Sequence, residues 1–190
     1  MEQFGNLYSQ YYDLLYGDKD YHGEVQYVDN LIKKNTSNAI SILDMGCGTG
    51  IHAHLFYDLG YIVHGIDMSE DMLKIARKKI NGKEERLRFT QSNIQELNLN
   101  KKFDVVISLF HVMSYQNSND ELIKSFEVAK SHLNDGGIFI FDFWYGPAVL
   151  TNLPTNKKKH LENDDIKVTR TTESILYPQQ NITEVNFDVL

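Results

Sequence analysis

The sequence is poor in cysteine and has no long apolar run. Cys47 is its only cysteine, which excludes an internal disulfide and a cysteine-based zinc site. No apolar stretch approaches the roughly 20 residues of a membrane-spanning helix. The first residues, MEQFGNLYSQYYDLLYGDKDY, contain acids and tyrosines where a signal peptide would have a basic region and then an apolar one. We therefore predict a cytoplasmic protein that does not act at a membrane.

A surplus of basic charge is also missing. The sequence has 19 Lys and Arg against 26 Asp and Glu, which gives a net charge of −7. Proteins that bind the nucleic-acid backbone normally have a basic surface, so no nucleic-acid partner is expected. No metal site is expected either, because His52 and His54 do not share a helix face and have no evident third ligand. The 190 residues suffice for one domain with a sizeable core.

Strand and helix patterns alternate through the middle of the chain. Apolar runs predict five strands, at AISILDMG, YIVHGID, RLRFTQSNI, FDVVISLF and IFIFDFW. Helical patterns lie between them at GIHAHLFYDLG, SEDMLKIARKKI and SNDELIKSFEVAKSHL, with Ser69 and Ser118 as N-caps and NDGG as the stop of the last. This order predicts an α/β fold with a mostly parallel sheet and helices on both faces. Ligands of such sheets bind beyond the carboxyl ends of the strands.

The flanking segments differ from this core. EVQYVDNLI predicts a helix, and Tyr8, Tyr12 and Tyr16 recur every four residues on another. After Pro154, two runs rich in β-branched residues flank PQQN and predict an antiparallel β hairpin. We expect a helical segment over 1–35, a core over 36–150 and a hairpin extension over 151–190, all in one structural domain. Because the sequence stops within a strand-like run, we also expect a truncated protein.

A glycine loop follows the first predicted strand. Gly46, Gly48 and Gly50 allow a sharp turn and close approach of a ligand to the backbone, and the helix that follows offers N–H groups to an anion. Asp67 ends the second strand, where a carboxylate can accept hydrogen bonds from both hydroxyls of a ribose. In the dinucleotide fingerprint G-x-G-x-x-G, the third glycine would fall at Ile51. This mismatch counts against a nicotinamide-dependent oxidoreductase.

Five stretches in order, LDMGCGTG, GIDMSEDML, SNIQEL, FDVVISLF and LNDGGIFIFDF, resemble the class I S-adenosylmethionine-dependent methyltransferases. The resemblance implies a Rossmann-like fold, S-adenosylmethionine as cofactor and S-adenosylhomocysteine as product. It implies that the glycines line the methionine and ribose portions, that Asp67 binds the ribose and that Met68 packs on adenine. The implied cofactor-binding residues are Asp44, Gly46, Cys47, Gly48, Gly50, Asp67, Met68, Asn93, Ile94 and Leu109.

Some of these assignments carry alternatives. Asp44 either orders the glycine loop or meets the ammonium of the ligand, and Leu109 offers its carbonyl to that ammonium. Asn93 and Ile94 flank the adenine edge, although many family members have Asp where Asn93 stands. Cys47 fills the loop as a small residue, since no basic partner that would activate a catalytic thiol is evident.

Segments outside these five stretches restrict the resemblance to a smaller group of methyltransferases. LYSQYYDLLYGDKDYHGE, FHVMSY and FDFWY resemble segments of small-molecule N-methyltransferases, most of all the N,N-dimethyltransferases of nucleotide-linked amino sugars. Glycine-type N-methyltransferases share part of this pattern. The amino-sugar enzymes tend to have Glu-Pro-Trp-Trp where this chain has Asp142, Phe143, Trp144 and Tyr145. The resemblance nevertheless implies an acceptor that is attacked at an amine nitrogen. It also implies that 1–35 is a lid, that 36–150 binds the cofactor and that 151–190 serves substrate binding or dimerisation.

Three residues are candidates for catalysis. His111 follows the fourth strand and is a candidate base or substrate orienter, because an amine must be neutral to attack. Asp142 ends the fifth strand and can hydrogen-bond the amine, and Tyr12 would cover the reacting atoms. The alternative in each case is a structural role: a hydrogen-bonded histidine, a turn or helix cap, and plain helix packing.

The candidate substrate-binding residues are mostly aromatic: Tyr16, Tyr115, Trp144, Tyr145 and Arg170. The basic run NKKKH, residues 156–160, could hold a diphosphate together with Arg170, or be a solvated loop. The sequence thus predicts an enzyme that methylates a small molecule at nitrogen, with a homodimer left open. An O- or C-methyltransferase and a non-catalytic cofactor- or partner-binding protein are the rival hypotheses.

Overall fold

Helices and strands alternate along the chain in the computed structural model, which describes residues 6–36, 38–80, 82, 85–162 and 166–190, with only the backbone of 6–10. The helices are α1 (Asn6–Leu15), α2 (Tyr21–Asn35), α3 (Ile51–Asp58), α4 (Glu70–Lys78), α5 (Asn119–Ser131) and α6 (Gly146–Thr151), with short 3-10 helices at Val112–Tyr115 and Pro178–Gln180. The strands are β1 (Ser41–Met45), β2 (Ile62–Asp67), β3 (Leu87–Gln91), β4 (Phe103–Ser108), β5 (Leu133–Phe141), β6 (Lys157–Glu162), β7 (Lys167–Tyr177) and β8 (Ile182–Val189). No described helix is both long and apolar enough to cross a membrane.

The chain divides into two compact units, and the first comprises residues 1–10 and 19–143. Its five strands form a parallel sheet in the order β3-β2-β1-β4-β5. This confirms the predicted α/β, Rossmann-like sheet. The chain moves outward from β1 to β3 and then crosses to β4, so the switch point lies between β1 and β4. The glycine loop leaves β1 at this point.

Helices cover both faces of this sheet. Ile42 and Leu43 are adjacent in β1 and fully buried, but they belong to different apolar clusters because alternate residues of a strand point to opposite faces. One cluster includes Phe56 of α3, and the other includes Val128 of α5. Burial on both faces explains why β1 is apolar throughout except for Ser41 and Asp44.

The predicted N-termini of α4 and α5 are confirmed, because each capping residue is paired within the first turn of its helix. Ser69 accepts a hydrogen bond from the N–H of Met72, and Ser118 forms a full capping box with Glu121. NDGG, however, does not end the helix, since α5 ends at Ser131 and β5 already contains these residues. The pairing of β5 with β4 shifts register between Phe103 and Val105, so the extra residues of NDGG are absorbed as an irregularity of the strand.

The second unit comprises residues 11–18 and 144–190 and contains an antiparallel sheet in the order β6-β7-β8. The predicted hairpin is confirmed as β7 and β8, which are joined through Pro178–Gln180. The interpretation of the basic run as a solvated loop is wrong, because Lys157–Glu162 forms β6. Lysine-rich sequence has weak strand propensity and is typical of edge strands, so β6 depends on its pairing with β7.

Candidate functional site

The glycine loop is fixed against its neighbours by backbone hydrogen bonds. The N–H groups of Gly46 and Cys47 both donate to the carbonyl of Ile66, at 2.8 and 2.9 Å. Gly46 has φ +85°, and a Cβ there would lie 2.6 Å from Cγ1 of Val112. Only glycine therefore lets the loop pack directly against the segment that follows β4. This contact places His111, the neighbour of Val112 in the chain, beside the loop.

Gly48 differs from Gly46 in its surroundings. It has φ +54°, a conformation that favours glycine, but a Cβ built there would have no other atom within 4 Å. The backbone at Gly48 therefore faces open space that a ligand can approach. Cys47, the residue between the two glycines, is buried, and burial raises the pKa of its thiol well above the ordinary value. Its place as a small buried residue of the loop agrees with the sequence-based assignment.

Asp67 connects the glycine loop to the start of α4. One carboxylate oxygen accepts the N–H of Gly48 and the other accepts the N–H of Ser69, each at 2.8 Å. Burial raises the pKa of Asp67, and these backbone hydrogen bonds oppose that rise. A carboxyl oxygen has two lone pairs, so each oxygen can still accept a hydroxyl hydrogen. The arrangement is able to hold a diol such as that of a ribose.

Asp44 lies within the sheet below the loop. It is 2% exposed, and its Oδ2 has no hydrogen-bond partner among the described residues. Burial raises its pKa to about 7, with a smaller contribution from the charge of Asp67. A buried carboxyl oxygen without a partner is costly unless a ligand supplies one. Asp44 can therefore receive a cationic or hydrogen-bonding ligand group.

The remaining predicted cofactor residues fall around the same strand ends. Met68 is 60% exposed directly after β2, and its carbonyl accepts a hydrogen bond from the side chain of Gln91. Asn93 is exposed and its side-chain oxygen accepts the N–H of Gln95 at 3.0 Å, which leaves one lone pair for another donor. Ile94 and Leu109 are buried. The roles of these four residues toward adenine and the ammonium stay predictions.

The first unit brings His111 and Asp142 together. Asp142 Oδ1 accepts the backbone N–H of His111 at 2.9 Å, and Oδ2 lies 3.3 Å from Nδ1 of the imidazole. Phe110 and His111 have φ of +65° and +63°, so two consecutive residues other than glycine are left-handed. Such backbone strain persists only where the surroundings enforce it, and it is concentrated at functional sites. Tyr115, a candidate substrate residue, is 52% exposed at the end of the following 3-10 helix.

The second unit brings Arg170 and Tyr16 together. The guanidinium carbon lies 5.9 Å from the centre of the Tyr16 ring and 4.8 Å from that of Phe187. Arg170 Nη1 donates to the hydroxyl of Tyr16 at 3.5 Å, whereas its buried Nε has no partner in the described part of the chain. Arg170 is also the register partner of Lys159 across β6 and β7, so both side chains leave the same face of that sheet.

The aromatic candidates of this unit are arranged in two places. The rings of Tyr12 and Tyr16 are 4.9 Å apart, as expected for residues four apart on a helix. Tyr8 belongs to the same pattern, but its side chain lies outside the described residues. Trp144 and Tyr145 are 43% and 63% exposed just before α6. Their roles in covering or walling an acceptor stay predictions.

Sequence reasoning missed a set of residues around Phe110. Lys19 forms an ion pair with Glu24, whose carboxylate also lies 2.9 Å from Nε2 of His52. The Lys19 ammonium lies 4.7 Å from the centre of the Phe110 ring. The KDY segment that precedes α2 contains Lys19, but its link to the end of β4 depends on tertiary contacts that no local pattern encodes.

Comparisons with known proteins agree with this geometry. The family described as "Methyltransferase domain" matches residues 42–137, about half of the chain. The dTDP-3-amino-3,4,6-trideoxy-alpha-D-glucopyranose N,N-dimethyltransferase of Streptomyces venezuelae is 29% identical over 180 residues, which cover 94% of this chain and 74% of that protein. The dTDP-3-amino-3,6-dideoxy-alpha-D-glucopyranose N,N-dimethyltransferase of Streptomyces fradiae is 28% identical over 145 residues, which cover 75% of this chain and 55% of that protein. This chain is thus shorter than both relatives.

A solved structure shares the fold. The crystal structure of DesVI from Streptomyces venezuelae matches with a TM-score of 0.77 and 25% identity, over 96% of this chain and 81% of that one. S-adenosylmethionine fits the residues of the loop. Asp67 can accept the two ribose hydroxyls, Gly48 leaves its backbone accessible, and Asp44 has a buried oxygen that no described residue pairs and that can meet a cationic group. The chain therefore belongs to the methyltransferase-domain family and is a class I S-adenosylmethionine-dependent methyltransferase, as the sequence predicted.

Proposed function

We propose that the protein methylates a small acceptor at an amine nitrogen, and that this acceptor is a nucleotide-linked amino sugar. The observation that carries the proposal is the paired placement of His111 and Asp142 beside the glycine loop. The names of the two relatives, both dTDP-amino-sugar N,N-dimethyltransferases, support the substrate class. A base at this place would also serve an O-methyltransferase, so the choice of nitrogen is supported by the names of the relatives.

We propose that His111 takes a proton from the acceptor amine and that Asp142 supports it in this role. When bound, S-adenosylmethionine supplies the methyl group: its S–C bond breaks as the C–N bond to the acceptor forms, and S-adenosylhomocysteine is the product. An amine attacks only when it is neutral, so a base must take its proton. Asp142 Oδ2 lies 3.3 Å from Nδ1 of His111, which is ion-pair distance without hydrogen-bond geometry, and we assign to Nε2 the acceptance of the proton from the amine. Asp142 then stabilises the imidazolium.

The second unit contains basic groups that suit a phosphate-bearing ligand. Arg170 and Lys159 leave one face of the β6–β7 pair, and Arg170 Nε is buried without a partner among the described residues. A guanidinium held between rings can bind phosphate oxygens through charge-assisted hydrogen bonds. We assign to these two residues the binding of the diphosphate. The aromatic residues proposed for the sugar and the reacting atoms are Tyr12, Tyr16, Tyr115, Trp144 and Tyr145.

The test is product analysis by mass spectrometry. The full chain is incubated with S-adenosylmethionine and dTDP-3-amino-3,6-dideoxy-glucose, and in parallel with the matched dTDP-sugar that has a hydroxyl at that carbon. A mass increase of one or two methyl groups on the amino sugar alone is expected. Methylation of the hydroxyl sugar, or of neither sugar by a sample that binds S-adenosylhomocysteine in calorimetry, would contradict the proposal.

We also propose a cellular location and an oligomeric state for the enzyme. A small-molecule acceptor and a single cysteine agree with a cytoplasmic protein, the location that we propose. A homodimer built on the 151–190 extension is the oligomer that we propose. Light scattering of the purified chain at several concentrations tests it, and a mass of one chain throughout would refute it.

A further inference from the structure

Lys19 occupies an enclosed position for a lysine. Its side chain is 15% exposed, and its ammonium forms an ion pair with Glu24 in the first turn of α2. The same ammonium lies 4.3 Å from the centre of the Tyr21 ring and 4.7 Å from that of Phe110. A cation between two aromatic faces and a carboxylate is held more strongly when it is removed from water. The lysine thus joins the start of α2 to the end of β4.

Glu24 extends this contact toward the glycine loop. Its Oε2 lies 2.9 Å from Nε2 of His52, which is 8% exposed in the first turn of α3. The hydrogen bond from His52, together with the Lys19 ammonium and against the effect of burial, lowers the pKa of Glu24 to about 2. The Tyr21 ring also packs against the His52 ring at 5.0 Å. We call Lys19, Tyr21, Glu24 and Phe110 the Lys19 cluster. His52 connects this cluster to α3, the helix that begins directly after Gly50.

Phe110 is the end of this cluster nearest to the proposed chemistry. It has a left-handed backbone, as has His111, and the two rings are 5.7 Å apart. Left-handed backbone costs energy in residues other than glycine, so contacts of the Phe110 side chain must help to maintain it. Lys19 makes such a contact. A change in the Phe110 ring would be transmitted directly to the orientation of His111.

We propose that Lys19 is a positioning residue that acts through Phe110 to hold His111 in the orientation needed for methyl transfer. The inference rests on the role of His111 in the proposed function. Lys19 does not touch the reacting atoms in this proposal. It fixes the backbone of 110–111 through the Phe110 ring, whereas Asp142 fixes His111 through its backbone N–H.

The test compares Lys19→Met with Lys19→Arg and with a control, Lys74→Met. Methionine keeps much of the length and loses the charge, whereas arginine retains both the cation–π contact and a partner for Glu24. Lys74 is an exposed lysine that pairs with Asp71, so its removal should change nothing. We expect Lys19→Met to lower kcat about ten-fold, Lys19→Arg to restore most of it, and the affinity for S-adenosylmethionine to stay within about two-fold.

Two readouts separate positioning from a general loss of structure. In a His111→Ala background, Lys19→Met should cause no further loss of kcat, since its effect passes through the imidazole. In ¹H–¹³C spectra, the ring signals of His111, assigned by their loss in His111→Ala, should shift in Lys19→Met and not in Lys74→Met. The proposal would be overturned if Lys19→Met lowered kcat about ten-fold again in the His111→Ala background, or if it left the His111 signals unshifted.

The spectroscopic arm needs no acceptor and therefore distinguishes two failures. If no amine is methylated but the His111 signals shift, the proposed function fails and the positioning of His111 by Lys19 stands. If Lys19→Met does not fold, Glu24→Gln replaces it, because it keeps the shape of the side chain and removes the charge that holds the ammonium. The His111 signals should then shift in the same direction, and their constancy would count against the role of Lys19.

Discussion

Asp142 holds His111 at two atoms, since its Oδ1 accepts the backbone N–H at 2.9 Å and its Oδ2 lies 3.3 Å from Nδ1 of the ring. Asp142→Asn keeps an acceptor for the backbone N–H but removes the charge that faces the ring. We expect kcat to fall roughly ten- to hundred-fold, because the negative charge that would stabilise the imidazolium at 3.3 Å is lost. Steady-state kinetics together with calorimetric titration of S-adenosylmethionine would measure this effect.

The matched control for Asp142 is Asp135→Asn, an exposed aspartate in β5, the strand that Asp142 directly follows. It should leave both kcat and cofactor affinity unchanged. If Asp142→Asn weakened cofactor binding as much as turnover, Asp142 would serve the fold of the loop and not the proton transfer.

Asp67 is expected to determine cofactor affinity. Asp67→Ala should weaken the binding of S-adenosylmethionine ten-fold or more, because about 1.5–3 kcal/mol is lost with a hydrogen bond to a charged group. Asp71→Ala removes a half-buried carboxylate that pairs with Lys74 in the first turn of α4, and it is the control. Equal affinities of the two variants would refute the ribose assignment. Because Asp67 also accepts the N–H of Gly48, thermal unfolding must show that the loss is not one of folding.

Cofactor affinity should depend on pH through Asp44. Its pKa is raised to about 7, so it is neutral below that pH in the free protein, whereas an ammonium ligand favours the ionised form. Binding therefore releases a proton, and affinity should fall by up to about ten-fold for each pH unit below 7. Calorimetry between pH 5.5 and 7, in buffers of different ionisation enthalpy, measures both quantities. Asp44→Asn should flatten the profile, and an unchanged slope in that variant would exclude Asp44 as its source.

Asp104 is expected to stabilise the fold at the other end of the sheet. Its Oδ2 accepts the N–H groups of Ile40 and Ser41 at 3.0 Å, and Oδ1 accepts the amide of Asn134 at 2.8 Å. Burial raises its pKa, but these hydrogen bonds outweigh burial and leave the pKa below the ordinary value. Its contribution is therefore complete above the unfolded pKa of about 3.9 and is lost as the pH falls through the lower folded value.

Asp104→Ala should lower the free energy of unfolding by about 2 kcal/mol at pH 7. Urea unfolding at pH 7 and pH 3 measures the difference, which should shrink at the lower pH. Asp135→Asn, an exposed acid beside Asn134, should behave as the unchanged protein. If Asp104→Ala lowered the free energy of unfolding as much at pH 3 as at pH 7, the ionised carboxylate of Asp104 would not be the source of the stability.

The parts of the site that the sequence predicted are encoded locally. The glycines, Asp44 and Asp67 lie at or just after strand ends, and parallel strands bring their carboxyl ends to one edge of the sheet. The predicted N-caps hold for the same reason, since Ser118 and Glu121 satisfy each other within one turn.

The parts that the sequence did not predict depend on distant pairing. Half of the residues of β6 are lysines, and the segment becomes a strand because β7 pairs with it. The same pairing makes Lys159 the partner of Arg170. NDGG has a composition typical of a turn, yet pairing with β4 draws it into β5. The contact of Lys19 with Phe110 joins segments far apart in the chain. None of these features has a periodic signal of its own.

Arg170 should determine the affinity for a diphosphate-containing acceptor. Its guanidinium is held between the rings of Tyr16 and Phe187, and Lys159, its register partner, donates to the carbonyl of Leu15 at 2.8 Å. Arg170→Met keeps an apolar side chain between the rings and removes the charge. The KM for a dTDP-amino sugar should rise about ten-fold or more, and the affinity for S-adenosylmethionine should stay unchanged.

The decisive comparison for Arg170 uses the same amino sugar without its nucleotide diphosphate. With that acceptor the KM of Arg170→Met should equal that of the unchanged protein, because the acceptor has no diphosphate for Arg170 to bind. Lys167→Met, which removes an exposed lysine from the same strand, β7, is the control and should affect neither acceptor. Should Arg170→Met raise the KM of both acceptors equally, Arg170 supports the packing of Tyr16 and Phe187 and does not bind the diphosphate.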